Sequence, residues 1–287
     1  MKILKKEDIN YPENLNKIKN PPKVLYVLGN IGNLNKKGIA IIGSRVCTPE
    51  GAKIAREFAF ELSKMGICII SGMAKGIDSE AHIGALKAGG ATIAVLGSGF
   101  KHIYPEENKE LFNDIIKNNG TVITEYLEDT EVCSKGFVQR NRIVSGLSEG
   151  VFIVEAKHRS GTAITAEFAK TQKKPIFCIP HNIGQKEGIG TNRILQNNGI
   201  LVTMPEDIIK YLKIKTKSTL NKKQKEISSY IPVEYREVYE CIKNKETNID
   251  EICRKLKKDI SKINYELTML EIGGYICSLP GKNFKRI

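Results

Sequence analysis

Residues 38–99 read GIAIIGSRVCTPEGAKIAREFAFELSKMGICIISGMAKGIDSEAHIGALKAGGATIAVLGSG, and this stretch decides the fold. Short apolar, β-branched runs at 39–43, 67–71 and 92–96 alternate with segments of helical periodicity at 49–65 and 78–88. Continuous apolar strands that alternate with helices are typical of βα units around a parallel sheet covered on both faces.

The alternation continues as far as residue 212. Further strands are predicted at 121–124, 151–154, 175–179 and 200–203, and further helices at 106–118, 162–172 and 191–197. We therefore predict an α/β fold class: an extended Rossmann-like, doubly wound, mainly parallel sheet that occupies residues 38–212.

The flanking segments differ from this pattern. Residues 1–37 are predicted to be an N-terminal lead-in that packs on the sheet edge, and residues 213–226 to be an exposed Lys-rich linker. Residues 227–287 are predicted to form a small C-terminal winged-helix domain. Its outline is three helices, at 233–243, 248–256 and 260–272, followed by two strands joined by Pro280-Gly281.

Composition narrows the class of protein. The 287 residues are 41% hydrophobic and 27% charged, which excludes collagen-like, disordered and coiled-coil proteins. The seven cysteines lack the spacing of a metal site, and Cys68 and Cys178 fall inside apolar runs, so we expect no metal and a reducing cytoplasmic location. No signal peptide or membrane span is predicted, and we expect no membrane partner.

Net charge suggests a polyanionic partner but does not locate it. The chain has 45 basic and 32 acidic side chains, a formal charge of +13. Residues 38–209, however, contain 19 of each sign. The excess is concentrated in the lead-in and around the linker.

Three loops that follow predicted strands are rich in Gly and small polar residues. They are Gly43-Ser44-Arg45, the stretch from Ser71 and Gly72 to Lys75, and Gly97-Ser98-Gly99. Ligands of open parallel sheets bind at this edge, where backbone N–H groups meet anions. None of the loops has the G-x-G-x-x-G or G-K-[ST] pattern, so we expect neither a dinucleotide nor an ATP cofactor.

The segment Phe137-Val138-Gln139-Arg140-Asn141-Arg142 combines two guanidinium groups with an aromatic ring. Guanidinium groups bind phosphates and aromatic faces stack unpaired bases, a combination suited to single-stranded nucleic acid. The alternative is structural, with Phe137 in the core and the arginines paired with Asp or Glu.

Two other polar residues receive structural predictions. His82, within a predicted helix, is expected to be hydrogen bonded rather than catalytic. Asp78 is expected to be the N-cap of that helix. No catalytic triad or carboxylate pair stands out by its spacing.

An ordered series of motifs over residues 38–212 resembles the DNA-processing protein A family, also called DprA or Smf. The motifs are IIGSR (41–45), SGMAKGID followed by Ala81-His82 (71–82), GGATIAVLGSG followed by Tyr104-Pro105 (89–105), FVQRNRI (137–143), VEA (154–156), SGTAITA (160–166) and GTNRILQNNG (190–199). The resemblance implies a non-catalytic, homodimeric recombination mediator that binds and protects incoming single-stranded DNA and loads RecA recombinase during natural transformation.

The resemblance also implies a DNA pocket. We expect Gly43, Ser44, Arg45, Ser71, Gly72, Lys75, Phe137, Arg140, Asn141 and Arg142 to line it, with no catalytic residue. One departure is that Pro180-His181-Asn182 stands where the family usually has Pro-Gly.

Two other functions remain open. A phosphoribohydrolase similar to the lysine-decarboxylase-like (LOG) family has a related fold, but its P-G-G-x-G-T-x-x-E element would need a Glu where this chain has Thr165, two residues before Glu167. A duplex-DNA-binding regulator would use helix 260–272, in which Glu266 and Glu271 are poorly suited to face phosphates.

Overall fold

The computed structural model describes residues 1–157, 161–215, 232–242 and 246–286. The chain divides into two compact units, residues 1–215 and residues 216–287. Residues 216–226 of the predicted linker lie outside the described residues, as does Ser160 of the SGTAITA motif.

The first unit is built on a nine-stranded sheet. Its strands are β1 (Lys2–Lys5), β2 (Val24–Gly29), β3 (Gly38–Ile42), β4 (Cys68–Ser71), β5 (Thr92–Val95), β6 (Thr121–Thr124), β7 (Gly150–Ile153), β8 (Ile176–Cys178) and β9 (Ile200–Leu201). Their order is β1-β2-β6-β5-β4-β3-β7-β8-β9, with β1 and β2 antiparallel to their neighbours and the rest parallel. All seven predicted strands are present.

Helices cover both faces of the sheet, as predicted for a doubly wound fold. They are α1 (Glu13–Asn16), α2 (Pro49–Lys64), α3 (Ile77–Lys87), α4 (Lys109–Lys117), α5 (Ser134–Leu147), α6 (Gly161–Thr171), α7 (Ile189–Gln196) and α8 (Pro205–Tyr211). Helices α2, α3 and α8 share one apolar cluster with the strands, and α1, α5 and α6 share a cluster that contains the alternate strand residues. The sequence patterns did not predict α1, α5 or α8.

The N-terminal segment is an integral part of the first unit. Strand β2 pairs with β6 and so lengthens the sheet, while Leu15 is fully buried beside α5. A Cβ on Gly146 of α5 would lie 3.0 Å from side-chain atoms of Leu15 and of Ile18, so the glycine lets these side chains approach the helix closely.

The second unit is a winged helix, as predicted. After a 3₁₀ turn it contains α9 (Arg236–Cys241), α10 (Ile249–Leu256) and α11 (Ile260–Ile272), with β10 (Thr247–Asn248), β11 (Ile276–Leu279) and β12 (Asn283–Arg286). On α11, Glu266 is buried, with Oε1 3.6 Å from the Lys258 ammonium. No helix among the residues that the structure describes, in either unit, is long and apolar enough to cross a membrane.

The burial of Leu15 leads to a stability prediction. Leu15→Ala removes a fully buried side chain and should lower the free energy of unfolding by about 2–5 kcal/mol in denaturant titrations. Ile9→Ala, at a side chain that is 96% exposed in the same segment, is the control and should change it by less than about 0.5 kcal/mol. Equal, small effects of both substitutions would show that the segment does not pack on the sheet.

Candidate functional site

Two adjoining clefts lie where the parallel strands end. The larger, of about 390 Å³, is called the main cleft, and the smaller, of about 100 Å³, the side cleft. Both contain Arg45, Gly72 and Arg140 in their walls. The loops after β3 and β4 and the first half of α5 therefore converge on one site, as expected for the carboxyl edge of a parallel sheet.

Arg140 connects three elements of this edge. It projects from α5, is only 3% exposed, and donates from Nη1 to the carbonyl oxygens of Gly72 and Val95. Burial lowers the pKa of Arg140 to about 10, an effect that the charge of Asp78 opposes, so the group remains a cation at neutral pH. Its Nε has no hydrogen-bond partner among the residues that the structure describes.

Gly72 and Gly136 allow α5 and Arg140 to pack closely against the ends of the strands. A Cβ on Gly72 would lie 2.5 Å from the Arg140 guanidinium carbon. A Cβ on Gly136, in the first turn of α5, would lie 2.2 Å from the carbonyl oxygen of Gly97. A side chain at Gly136 would push α5 away from the end of β5, and one at Gly72 would displace the Arg140 guanidinium.

The loop after β4 is shaped by Asp78. Helix α3 has Gly76 as its N-cap, so the prediction of Asp78 as N-cap was wrong. The buried carboxylate instead accepts hydrogen bonds from the backbone N–H groups of Gly72 (3.1 Å) and Ala74 (3.4 Å). Burial raises the pKa of Asp78, while the nearby Arg140 charge opposes that rise. Met73, which lies between Gly72 and Ala74, adopts a left-handed conformation with φ of 62°. Such a backbone conformation costs conformational energy and is typical of functional loops.

The loop that carries Arg45 is fixed by Glu155, which follows β7. Glu155 is 1% exposed and accepts hydrogen bonds from the Thr48 hydroxyl (2.5 Å) and the Thr48 backbone N–H (3.2 Å). The same Thr48 hydroxyl caps α2 by accepting from the N–H of Gly51. Glu155 thus connects the end of β7 to the first turn of α2 and limits where Arg45 can lie.

Arg45, Phe137 and Tyr104 form a cluster beside the side cleft. The guanidinium carbon of Arg45 lies 5.5 Å from the centroid of the Phe137 ring. The centroids of the Tyr104 and Phe137 rings are 5.3 Å apart. Arg45 and Tyr104 are exposed, and Phe137 is half-buried. A cationic group therefore adjoins an accessible aromatic surface.

Most of the predicted DNA-pocket residues line these clefts. They are Gly43, Ser44, Arg45, Gly72, Lys75, Phe137, Arg140 and Asn141. The structure does not bring Ser71 or Arg142 to either cleft. The Ser71 hydroxyl donates to the Ile41 carbonyl in the core, and Arg142 forms a two-pronged ion pair with Glu125 at 2.6 and 2.8 Å.

The two histidines near the sheet have structural contacts. His82 is fully buried and bonded through Nδ1 to the Thr92 hydroxyl at 2.7 Å, which confirms the predicted hydrogen-bonded role. His181, where the family usually has Gly, donates from Nε2 to the Val154 carbonyl at 2.8 Å. Among the described residues no group of three or more His, Cys, Asp or Glu is placed to hold a metal ion.

Glu155 and Tyr104 were not predicted as site residues. The signal for Glu155 was available, since it is an acidic residue directly after an apolar strand. Tyr104 gave a weaker signal, because it lies seven residues beyond the first glycine of its loop and only the fold brings it to Phe137.

The fold and the cleft define a class: a Rossmann-like protein with cationic and aromatic side chains at the carboxyl edge of its sheet, joined to a winged helix. Comparison with known proteins specifies it further. The family model described as DNA recombination-mediator protein A matches residues 2–213, and the model of the DprA winged helix domain matches residues 232–282. The chain belongs to the DNA recombination-mediator protein A family.

Individual relatives agree with this assignment. Protein Smf of Escherichia coli is 32% identical over 279 residues, covering 94% of this chain and 74% of the relative. The X-ray structure of DNA processing protein A from Streptococcus pneumoniae is similar with a TM-score of 0.69, 36% identity, and coverage of 72% of this chain and 73% of that one.

A second solved structure, DNA processing protein A from Helicobacter pylori, was described for its single-stranded DNA binding mode. It is similar with a TM-score of 0.66 and 32% identity, covering 73% of this chain and 95% of that one. Membership of the family assigns this chain a part in DNA processing and recombination.

The environment of His82 predicts a pH dependence of stability. Burial, assisted by the charge of Arg140, lowers the pKa of His82 to about 3. Between about pH 6.5 and 3 the unfolded chain binds a proton here that the folded chain does not, so this contribution to stability is lost as the pH falls. His82→Gln removes the effect.

The free energy of unfolding of the wild type should therefore fall relative to that of His82→Gln by about 1.4 kcal/mol for each pH unit below 6.5. Urea titrations of both proteins near pH 7 and near pH 5 measure this change. A constant difference across that range would mean that the folded ring accepts the proton normally.

Proposed function

We propose that the main and side clefts bind single-stranded DNA and that this binding, without catalysis, is the chain's contribution to recombination. The observation that carries the proposal is the stack of Arg45 on Phe137 beside the buried cation Arg140. The site thereby combines guanidinium groups that bind phosphates with an aromatic surface that stacks bases.

The phosphate-binding part of the proposal rests on Arg140 and Arg45. The Arg140 guanidinium is buried in the wall of the main cleft, so its charge is stabilised by an anion that approaches through that cleft. Arg45 is exposed at the rim, and Lys75 and Lys157 also line the clefts. Their ammonium groups are exposed and pair with Glu107 and Glu187, arrangements that contribute little to stability and leave donors for a phosphate.

The base-binding part rests on Phe137 and Tyr104. Aromatic faces bind unpaired bases by stacking, which requires a base that is not already enclosed in a duplex. The rings border a side cleft of about 100 Å³, with accessible apolar surface. We therefore propose a preference for single over double strands.

The contacts of Arg142 and Ser71 give these two predicted residues a different part in the proposal. Arg142 pairs with Glu125 and donates from Nε to the Asn20 carbonyl at 3.1 Å, so it would act by holding α5. Ser71 would act by holding the end of β4 against β3.

The phosphoribohydrolase alternative receives no support from the cleft. Thr165 lines the main cleft where that enzyme needs its glutamate, and Glu167 is exposed and 3.4 Å from Lys170 on the outer surface of α6. Release of ribose phosphate from nucleoside monophosphates by the purified chain would contradict a non-catalytic function.

The remaining parts of the proposal rest on family membership. We propose that the chain acts in the cytoplasm as a homodimer, protects incoming single strands and loads RecA onto them during transformation. Addition of the chain to RecA and a single strand coated with single-strand-binding protein should shorten the lag before filament formation. An unchanged lag would contradict RecA loading while leaving DNA binding intact.

The site is tested by two substitutions and a matched control. Arg45→Gln should weaken binding of oligo-dT about 10-fold and reduce the slope of log affinity against log salt by about 0.7, the amount expected for one phosphate contact. Phe137→Leu keeps most of the apolar volume but removes the ring face, and should weaken binding about 10-fold with the slope unchanged. Fluorescence anisotropy over a salt series measures both effects.

Lys53→Gln is the control, because Lys53 is exposed on α2 and pairs with Glu57 outside the clefts. It makes the same change of charge as Arg45→Gln and should leave affinity within about two-fold. Equal losses for Lys53→Gln and Arg45→Gln would mean that overall charge, and not this site, determines binding.

A further inference from the structure

A third cleft, of about 740 Å³, continues from the side cleft along the loop after β5. The two clefts share Lys75, Tyr104 and Pro105. We call the continuation, which also includes Lys101 and Lys109, the loop groove. The side cleft and the loop groove are therefore adjacent, and Tyr104 borders both.

The loop groove is preorganised. The Ser98 hydroxyl donates to the His102 carbonyl at 2.6 Å, and the Ser98 carbonyl accepts from the Thr124 hydroxyl at 2.8 Å. The backbone N–H of Lys101 donates to the Glu128 carbonyl at 3.1 Å. The loop is therefore held against the segment after β6, which reduces the entropy that a ligand would lose in ordering it.

The cations of the loop groove remain accessible. The Lys101 ammonium lies 2.8 Å from Asp129, and the Lys109 ammonium 2.6 Å from Glu106, with more than half of each lysine side chain exposed. Exposed pairs of this kind contribute at most about 1 kcal/mol. Since an ammonium has three N–H donors, each lysine can keep its carboxylate and also bind a phosphate oxygen.

Tyr104 lies at the junction between the side cleft and the loop groove. It is 49% exposed, and its ring is tilted by 43° against Phe137. Two neighbouring aromatic faces at different angles can stack successive bases of a strand that turns from one cleft into the next.

We propose that the loop groove binds the nucleotides that follow those held in the clefts, with a base on Tyr104 and phosphates at Lys101 and Lys109. The inference rests on the proposed function and extends it: the footprint on single-stranded DNA runs along the strand ends from the main cleft to the loop after β5. Glu106 limits the affinity of this segment, because its carboxylate faces the same phosphates.

Strand length separates the two parts of the footprint. We compare oligo-dT of about six nucleotides with oligo-dT of about 16 nucleotides. Both lengths lie within the range of site sizes of single domains that bind single-stranded nucleic acid. The double variant Lys101→Gln, Lys109→Gln should weaken binding of the long strand about five-fold and leave the short strand unchanged. The charge control is the double variant Lys53→Gln, Lys64→Gln on exposed residues of α2, which makes the same change of charge and should affect neither length.

Glu106→Gln should act in the opposite direction. It removes an exposed carboxylate beside Lys109 and should tighten binding of the long strand about two-fold, with no change for the short strand. Tyr104→Leu should weaken the long strand more than the short one.

The inference is overturned if the lysine double variant changes both lengths equally, or neither, while Arg45→Gln still weakens both. Weak binding of both lengths by the wild type, with Arg45→Gln having no effect, would instead contradict the proposed function and remove the basis of the inference. Circular dichroism spectra that match the wild type establish that each variant is folded.

Discussion

The Arg140 guanidinium joins three elements, since it projects from α5 and donates to carbonyl oxygens after β4 and at the end of β5. Burial of such a cation costs several kcal/mol unless polar groups surround it. The carbonyl oxygens of Gly72 and Val95 and the charge of Asp78 offset part of this cost. What remains is a positive potential at the floor of the main cleft, within residues 38–209, whose formal charges balance. Affinity for an anion is thereby concentrated at one place.

Helix α5 transmits this constraint to the rest of the site. Its N-terminal turn contacts Gly97, Phe137 faces the side cleft, and Arg142 on the far side is paired with Glu125 after β6. The N-terminal segment holds the same helix through the Asn20 carbonyl. The side chains that α5 exposes at the clefts are therefore held in place by contacts on the opposite face of the helix. Binding then requires little reordering of the backbone.

The sequence predicted the sheet well because parallel strands covered on both faces are nearly continuous apolar runs. Helix α5 was missed for a physical reason: the position facing the core carries Arg140, so the apolar periodicity that marks a buried helix face is interrupted. The sequence also could not distinguish Arg140 from Arg142, which are two residues apart in the same motif. In the structure Arg140 donates to main-chain carbonyl oxygens, whereas Arg142 pairs with Glu125. Asp78 was misplaced because its hydrogen-bond donors belong to a loop folded back by Met73.

Photo-crosslinking maps the bound strand most directly. An oligo-dT strand that contains 4-thiothymidine is irradiated in complex with the full chain, and the crosslinked peptides are identified by mass spectrometry. The account predicts crosslinks in the loop after β3, in the loop after β5 and in the first half of α5, around Arg45, Tyr104 and Phe137. Crosslinks confined to the winged helix or to the outer surface of α2 would contradict it.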